Sequence, residues 1–281
     1  LGLFLGAFAS ACTVHADTLE PPGEYPEDRY AKVAVLQWAH PEYAPVPATL
    51  EQAESYKAAN RETLAAWAER ARAHGAELLV TPEFGVTGYP KTQDGEDQFQ
   101  APDQIAPYAE SVPGPSSERL GQVAQRLGMH LAFSLAERDQ VTGHYHNTLV
   151  LLGADGALLG THRKRNLFGS ERKFLRPGGG ATVMNTPFGR IGMMICADIY
   201  HGPTLEDYRR AAPDLLLVSA AWTVSGAMNS FRSVARSVRA TVLASNLADH
   251  PDSGVLNPDG TAQSHIREGE GLAFGYIKRR P

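Results

Sequence analysis

The chain has 281 residues, 43% of them apolar and 20% charged, with a formal net charge of -5. That balance excludes a disordered chain and leaves room for one large core. Two cysteines exclude a disulfide scaffold and a cysteine-rich metal site. The acidic balance argues against a phosphate-backbone partner, so no nucleic acid is expected.

Residues 1–16, LGLFLGAFASACTVHA, carry no Asp, Glu, Lys or Arg. The stretch is short for a membrane-spanning helix and reads as the apolar and cleavage regions of an export signal. Two processing sites compete. Ala9-Ser10-Ala11-Cys12 is similar to a bacterial lipoprotein signal, with Cys12 lipidated and attached to a membrane. Val14-His15-Ala16 fits ordinary cleavage. A buried terminal strand or helix is the plain alternative. The expectation is an exported protein, periplasmic or extracellular. Residues 17–30 read as a polar tether and 31–281 as the folded domain. Without Cys12, Cys196 has no partner, and a lone thiol in an oxidising compartment is unusual.

From residue 31 onward, apolar runs alternate with segments of helical spacing. A strand is expected over 31–37 and a helix over 52–73, with Tyr56, Ala59, Thr63, Trp67 and Ala71 near one face and Gly75 as its stop. A strand at 78–81 follows. A helix at 116–127 uses Leu120, Val123 and Leu127 and stops at Gly128. Strands are expected at 131–135, 148–152, 158–159, 191–195, 215–219, 242–245, 253–256 and 272–277, with helices at 205–211 and 229–240. No repeat or linker interrupts the series, so a single α/β domain is expected.

Three segments carry residues that could do chemistry. Cys196, in GRIGMMICADIY, stands where a buried strand leaves the sheet; it is either an inert core thiol or a nucleophile at a crevice. Asp198, two places on, is an odd neighbour for a simple core position. Glu83, in LLVTPEFGVTGYP, is either a solvated loop residue or a base held rigidly by Pro82, Gly85 and Gly88. Lys164 lies in a basic run with His162, Arg163, Arg165, Arg172, Lys173 and Arg176, which by itself reads as a solvated surface. The ten histidines show no ligand spacing; His144 and His146 stand alone, and neither metal nor cofactor is expected.

Taken in order, these segments resemble the nitrilase superfamily, the carbon–nitrogen hydrolases with a Glu–Lys–Cys triad. The likeness rests on Pro82-Glu83 with Gly88-Tyr89, on Arg163-Lys164 with Leu167, and on GMMICAD at 192–198. Glu171 with Phe174, Pro177 and Gly178 adds a fourth match. Lesser ones include Asn60, Asn147, Ala221-Trp222, Asn246 and Ser253, and the whole covers about residues 31–277. The resemblance implies a four-layer α-β-β-α sandwich and a homodimer or higher homo-oligomer. It implies catalysis by Glu83, Lys164, Cys196 and Glu171. Cys196 attacks the carbonyl carbon and carries a thioester; Glu83 takes and returns its proton. Lys164 lowers the thiol pKa and stabilises the oxyanion with the Ala197 N–H, and Glu171 holds Lys164.

Departures from the pattern bear on substrate. True nitrilases follow the cysteine with Trp-Glu; Ala197-Asp198 favours an amide or ureido substrate. A helix motif that ends in Glu and Asn elsewhere has Arg239 and Ala240 here, so Arg239 must find other partners or face solvent. Asn166 in place of a usual His, the run at 243–246, Ser253-Gly254 and Asp198-Ile199 with His201 look like the vanin and biotinidase branch, which cleaves secondary amides of pantetheine or biotin conjugates. The alternatives are a primary amide or an N-carbamoyl compound, a true nitrilase, or a non-enzymatic binding relative. Tyr89, Phe168, Ala197, His201 and Trp222 are candidates to touch the substrate, with Met228 beside them; core packing explains the aromatics equally well.

Overall fold

The structure is a computed structural model and describes residues 17–91, 95, 97–222, 226–249 and 251–279. The elements of the first half are β1 (Asp17–Leu19), β2 (Tyr30–Gln37), α1 (Leu50–Ala73), β3 (Leu78–Val80), α2 (Pro102–Ile105), α3 (Pro115–Leu127), β4 (His130–Arg138), β5 (Tyr145–Leu152) and β6 (Leu158–Arg163). Then come α4 (Glu171–Phe174), β7 (Thr182–Thr186), β8 (Gly189–Ile195), α5 (Gly202–Ala211), β9 (Leu215–Ser219), α6 (Ala227–Val238), β10 (Thr241–Ser245), β11 (Ser253–Leu256), β12 (Ala262–Ile266) and β13 (Gly271–Lys278).

The strands form two sheets, ordered β1-β13-β2-β3-β4-β5-β6 and β12-β11-β10-β9-β8-β7. Residues alternate between sheet faces, and β2 shows what that does here. Val33 and Val35 join Leu78, Leu149, Met193, Leu217 and Leu243 in the layer between the sheets. Ala34 and Leu36 point the other way, under Leu64 and Ala68 of α1 and Leu120 and Val123 of α3. On the second sheet, Leu216, Val218 and Val242 pack outward against Tyr208 of α5 and Phe231 and Val234 of α6. Both faces of the central strands are therefore dry, which explains their unbroken apolar runs. The result is the expected α-β-β-α sandwich. Alternation in sequence fits a doubly wound sheet as well; only the sharing of one core by two sheets separates the two.

Local chemistry sets the helix ends. Thr49 Oγ1 accepts from the Gln52 N–H at 3.1 Å and Gln52 Oε1 accepts from the Thr49 N–H at 2.9 Å, a reciprocal cap that starts α1 two residues earlier than its apolar spacing indicates. Gly128, at φ 59°, ends α3 in the left-handed region. The strands β7 (TVMNT) and β12 (AQSHI) escape a reading by apolar runs. They are edge strands, mixed in polarity, and paired on one side only.

Residues 1–16, with the signal reading and Cys12, lie outside the described residues. The tether reading of 17–30 meets a different arrangement. Asp17 to Leu19 pair in parallel with Gly271 to Ala273 of β13, and Tyr25 stacks on Tyr276 with ring centroids 4.0 Å apart. The polar segment is used as an edge strand and strap.

Candidate active site

Glu83, Lys164 and Cys196 stand just beyond the carboxyl ends of β3, β6 and β8, and the strand ends carry them into one cavity of about 240 Å³. The Glu83 turn is fixed from both sheets. Its N–H donates to Ala220 O at 3.2 Å, beyond β9, while the Phe84 N–H donates to Ser134 Oγ of β4 at 3.0 Å. Gly88 closes the loop at φ 70°, where an added Cβ would fall 2.2 Å from Tyr56 Oη. Only glycine suits both constraints.

Lys164 is buried, 2% exposed, so the basic run does not lie uniformly on the surface. Its Nζ donates to Glu83 Oε1 at 2.7 Å and contacts Glu171 Oε1 and Oε2 at 3.0 and 2.8 Å. Asn147 of β5 reaches the same two carboxylates, donating to Glu83 Oε1 at 2.7 Å and Glu171 Oε1 at 3.1 Å. The remaining oxygens take backbone donors, Ala221 N–H on Glu83 Oε2 at 2.9 Å and Phe168 N–H on Glu171 Oε2 at 2.7 Å. The two carboxylates thus engage part of one ammonium, which has three N–H donors, and leave it facing the cavity beside Cys196.

Cys196 itself has a φ of 43°, a left-handed conformation in a non-glycine residue, held by its surroundings. Asp198 does the holding. It accepts from the Ile195, Arg165 and Asn166 N–H groups at 3.0, 2.8 and 2.7 Å, and His162 Nε2 lies 2.9 Å away. Asn166 Nδ2 adds a bond to Ala197 O at 2.7 Å. The cysteine turn is therefore tied to the loop that follows Lys164. That is the physical content of Asp198 and of the Asn166 departure. Arg239 caps the end of α6 in the left-handed region and faces solvent.

Lys164 does pull the thiol pKa down, as expected, but the net shift is upward. Burial pushes the Cys196 thiol well above its ordinary range and the Glu83 carboxylate adds to this; Lys164 and the Ala221 N–H act in the opposite direction and are outweighed. The thiol therefore stays protonated at rest because burial, with Glu83 beside it, outweighs the pull of Lys164. Burial also raises the Glu83 carboxyl; Lys164 opposes this and Glu171 reinforces it. Burial disfavours the Lys164 charge, but Glu171, Glu83 and Cys196 together hold the ammonium well above its usual value.

Of the candidate substrate contacts, Tyr89, Phe168, Ala197 and Trp222 line the cavity. His201 does not: its Nδ1 lies 2.7 Å from Thr204 Oγ1 at the start of α5. Met228 is buried in the layer under α6. The sequence reading gave Asn147 no role, although it joins both carboxylates. Its position on β5, opposite Ala136 of β4, turns the amide inward. Asn246 was likewise only a pattern match; its Oδ1 accepts from the Trp222 N–H at 2.7 Å and so braces the wall that binds Glu83. Among the described residues no group of three or more His, Cys, Asp or Glu is placed to hold a metal ion.

A profile of the carbon–nitrogen hydrolase family matches residues 32–241. Among curated proteins, the omega-amidase NIT2 of Xenopus tropicalis is 33% identical over 161 residues, 54% of each chain. The chain thus spans about half the length of the curated relatives it matches. Among solved structures, Nit3 of Saccharomyces cerevisiae, a member of branch 10 of the nitrilase superfamily, superimposes with a TM-score of 0.73 at 23% identity over 89% of this chain and 90% of that one. A mutant of the amidase from Nesterenkonia sp. AN1, with the acetamide moiety of fluoroacetamide added covalently at its active-site cysteine, gives a TM-score of 0.70 at 22% identity, covering 92% and 93%. At those identities the two structures bear on the fold alone.

These matches bear on two expectations. The vanin and biotinidase branch finds no support in them. The expectation of an exported, periplasmic or extracellular enzyme, read from residues 1–16, is set aside against the omega-amidase relatives. Among the described residues no helix is long and apolar enough to cross a membrane. The match over residues 32–241 and the shared sandwich lead to one conclusion: the chain belongs to the carbon–nitrogen hydrolase family.

Proposed function

We propose that this protein is an amidase that hydrolyses small non-peptide amides through a thioester on Cys196. The observation that carries the reading is the convergence of Glu83, Lys164 and Glu171, in one buried hydrogen-bonded group, on the cavity that holds Cys196. A raised thiol pKa means the proton leaves during attack. Glu83, itself raised above the usual carboxylate range, takes that proton as Sγ bonds to the carbonyl carbon. The carbonyl oxygen becomes an oxyanion facing the Lys164 ammonium, with the Ala197 N–H as the second donor. Glu83 then passes the proton to the nitrogen, the C–N bond breaks and the amine leaves. Water gives a proton to Glu83 and attacks the thioester. The acid departs as the C–S bond breaks, and the proton returns to Cys196. Glu171 keeps Lys164 charged and in place throughout.

The covalent adduct of the Nesterenkonia amidase at its active-site cysteine supports a nucleophilic Cys196 by analogy. Ala197-Asp198 after the cysteine favours an amide over a nitrile. The pantetheine and biotin-amide reading is the finer alternative and rests on the likeness at Asn166, 243–246, Ser253-Gly254 and Asp198-Ile199 with His201. The homodimer implied by the family is part of the proposal; light scattering on a sizing column reads it directly. The test of function is product release from a panel of primary amides, N-carbamoyl amino acids, secondary amides including pantetheine and a biotinyl amide, and a nitrile, with C196A alongside. Amide turnover that vanishes in C196A is expected. Turnover that survives in C196A, or none on any amide, overturns the reading.

A further inference from the structure

The cavity around Cys196 is walled by Phe84, Phe99, Phe168, Phe174, Tyr200 and Trp222. Through Tyr89, Gln98, Ala221 and Trp222 it shares walls with a second cavity of about 370 Å³, whose other lining includes Glu42, Asp97, Asp249 and His40. Among the described residues lining the two, Lys164 is the sole Lys or Arg, and Glu83 and Glu171 already hold it. Lys91 lies over the Tyr43 ring, 5.3 Å from its centroid, and lines neither cavity. His40 is pushed down to about 4 by burial, against the carbonyls of Gly85 and Phe84, and adds no charge near neutrality.

We propose that this cleft selects by charge: it takes amides with an uncharged, apolar acyl group and turns away amides whose far end carries a carboxylate. The proposal rests on the amidase reading and names its substrate class. A carboxylate in the inner cavity would lose its water among aromatic rings and find no free cation. It would also lie beside Glu83 and Glu171, and a carboxylate reaching the outer cavity would face Glu42, Asp97 and Asp249. An apolar chain of similar length gains from the same walls.

The test compares kcat/KM for hexanamide with that for glutaric acid monoamide, which is close in length and ends in a carboxylate. Hexanamide is expected to be preferred by at least about 100-fold, the scale on which a site rejects a group it cannot pair. Phe168→Arg puts a cation at the rim, where Phe168 is 56% exposed and its replacement leaves the core intact; the preference should narrow several-fold. Equal turnover of the two amides, or preference for the half-amide, overturns the charge selection and leaves the amidase reading standing. If neither amide turns over, the amidase reading is decided by the wider panel, and alkylation still tests the cleft. N-propyl iodoacetamide and iodoacetyl-β-alanine are compared at Cys196 by intact mass, with C196A as blank and free cysteine as reference. A neutral-over-anionic ratio at least about tenfold above that of free cysteine supports selection by charge, and an unchanged ratio overturns it.

Discussion

Asn147 Nδ2 donates to Glu83 Oε1 at 2.7 Å, and the same amide nitrogen lies 3.1 Å from Glu171 Oε1. A neutral donor sits between two carboxylates that also share one ammonium. Their mutual repulsion is offset by N–H donors from Lys164, Asn147, Ala221 and Phe168 in a buried site, with Lys164 the one Lys or Arg among the described residues that line the cavity. Asn147 is in turn placed by Ser134, whose Oγ donates to Asn147 Oδ1 at 3.3 Å.

Asn147→Leu removes that donor at similar volume. It should lower kcat by about 10- to 100-fold and cost about 1–3 kcal/mol of stability, because two buried oxygens lose a partner. Asn147→Asp adds a third carboxylate and should be worse on both measures. Steady-state kinetics beside thermal melts checks this; an Asp variant as active as the parent would remove Asn147 from the charge arrangement.

Lys164 and Cys196 differ in what they do for the fold. Lys164→Met leaves Glu83 and Glu171 buried without their cation, a loss on the order of 3–5 kcal/mol. Cys196→Ala removes a half-buried thiol that pairs with no other cysteine, and should change stability by about 1 kcal/mol or less. Denaturant unfolding of the two variants should separate them clearly. A Lys164→Met protein as stable as C196A would mean the carboxylates discharge each other by sharing a proton.

The pH profile follows from the raised Glu83 carboxyl. The base form is required, so kcat/KM should fall on the acid side through a pKa above the ordinary carboxylate value. In Glu83→Gln that limb should vanish with most of the activity. Iodoacetamide modification of Cys196 should be slow at neutral pH and rise on the alkaline side, since burial and Glu83 hold the thiol high. Fast alkylation already at pH 6 would show a preformed thiolate and reverse this assignment.

Asp198 gives a stability prediction of the opposite sign. Burial would raise its carboxyl, but the bond to His162, with the Asn166 and Ile195 N–H groups, outweighs burial and holds it below its usual value. A carboxyl lowered in the folded state stabilises above its unfolded pKa, and that contribution is lost as pH falls through the folded one. Asp198→Asn should therefore lower stability near pH 7 by about 2–4 kcal/mol and differ less from the parent in acid. Melts from pH 7 to 3 that stay parallel would contradict this.

Much of the site is written in the chain. The apolar runs before Glu83 and Cys196 mark strands whose carboxyl ends release a side chain, and the motifs shared with the family name the chemistry. Element types were legible because buried strands need unbroken apolar runs and the helices end at Gly75 and Gly128, whereas the Thr49 cap that starts α1 was not read. The edge strands β7 and β12 were not legible, since one-sided pairing makes no such demand. The sequence by itself therefore determined the α/β alternation and, through the family resemblance, pointed to Glu83, Lys164 and Cys196. Tertiary structure alone decided that two sheets share one core, and that Asn147 and Asp198 brace the reacting groups while His201 caps a helix away from the cavity. It also decided that Lys164 is paired with two carboxylates and that burial outweighs its pull on the thiol. These outcomes depend on which distant groups are brought within a few ångströms in a dry interior, where burial and pairing set each charge, and local sequence carries no record of either.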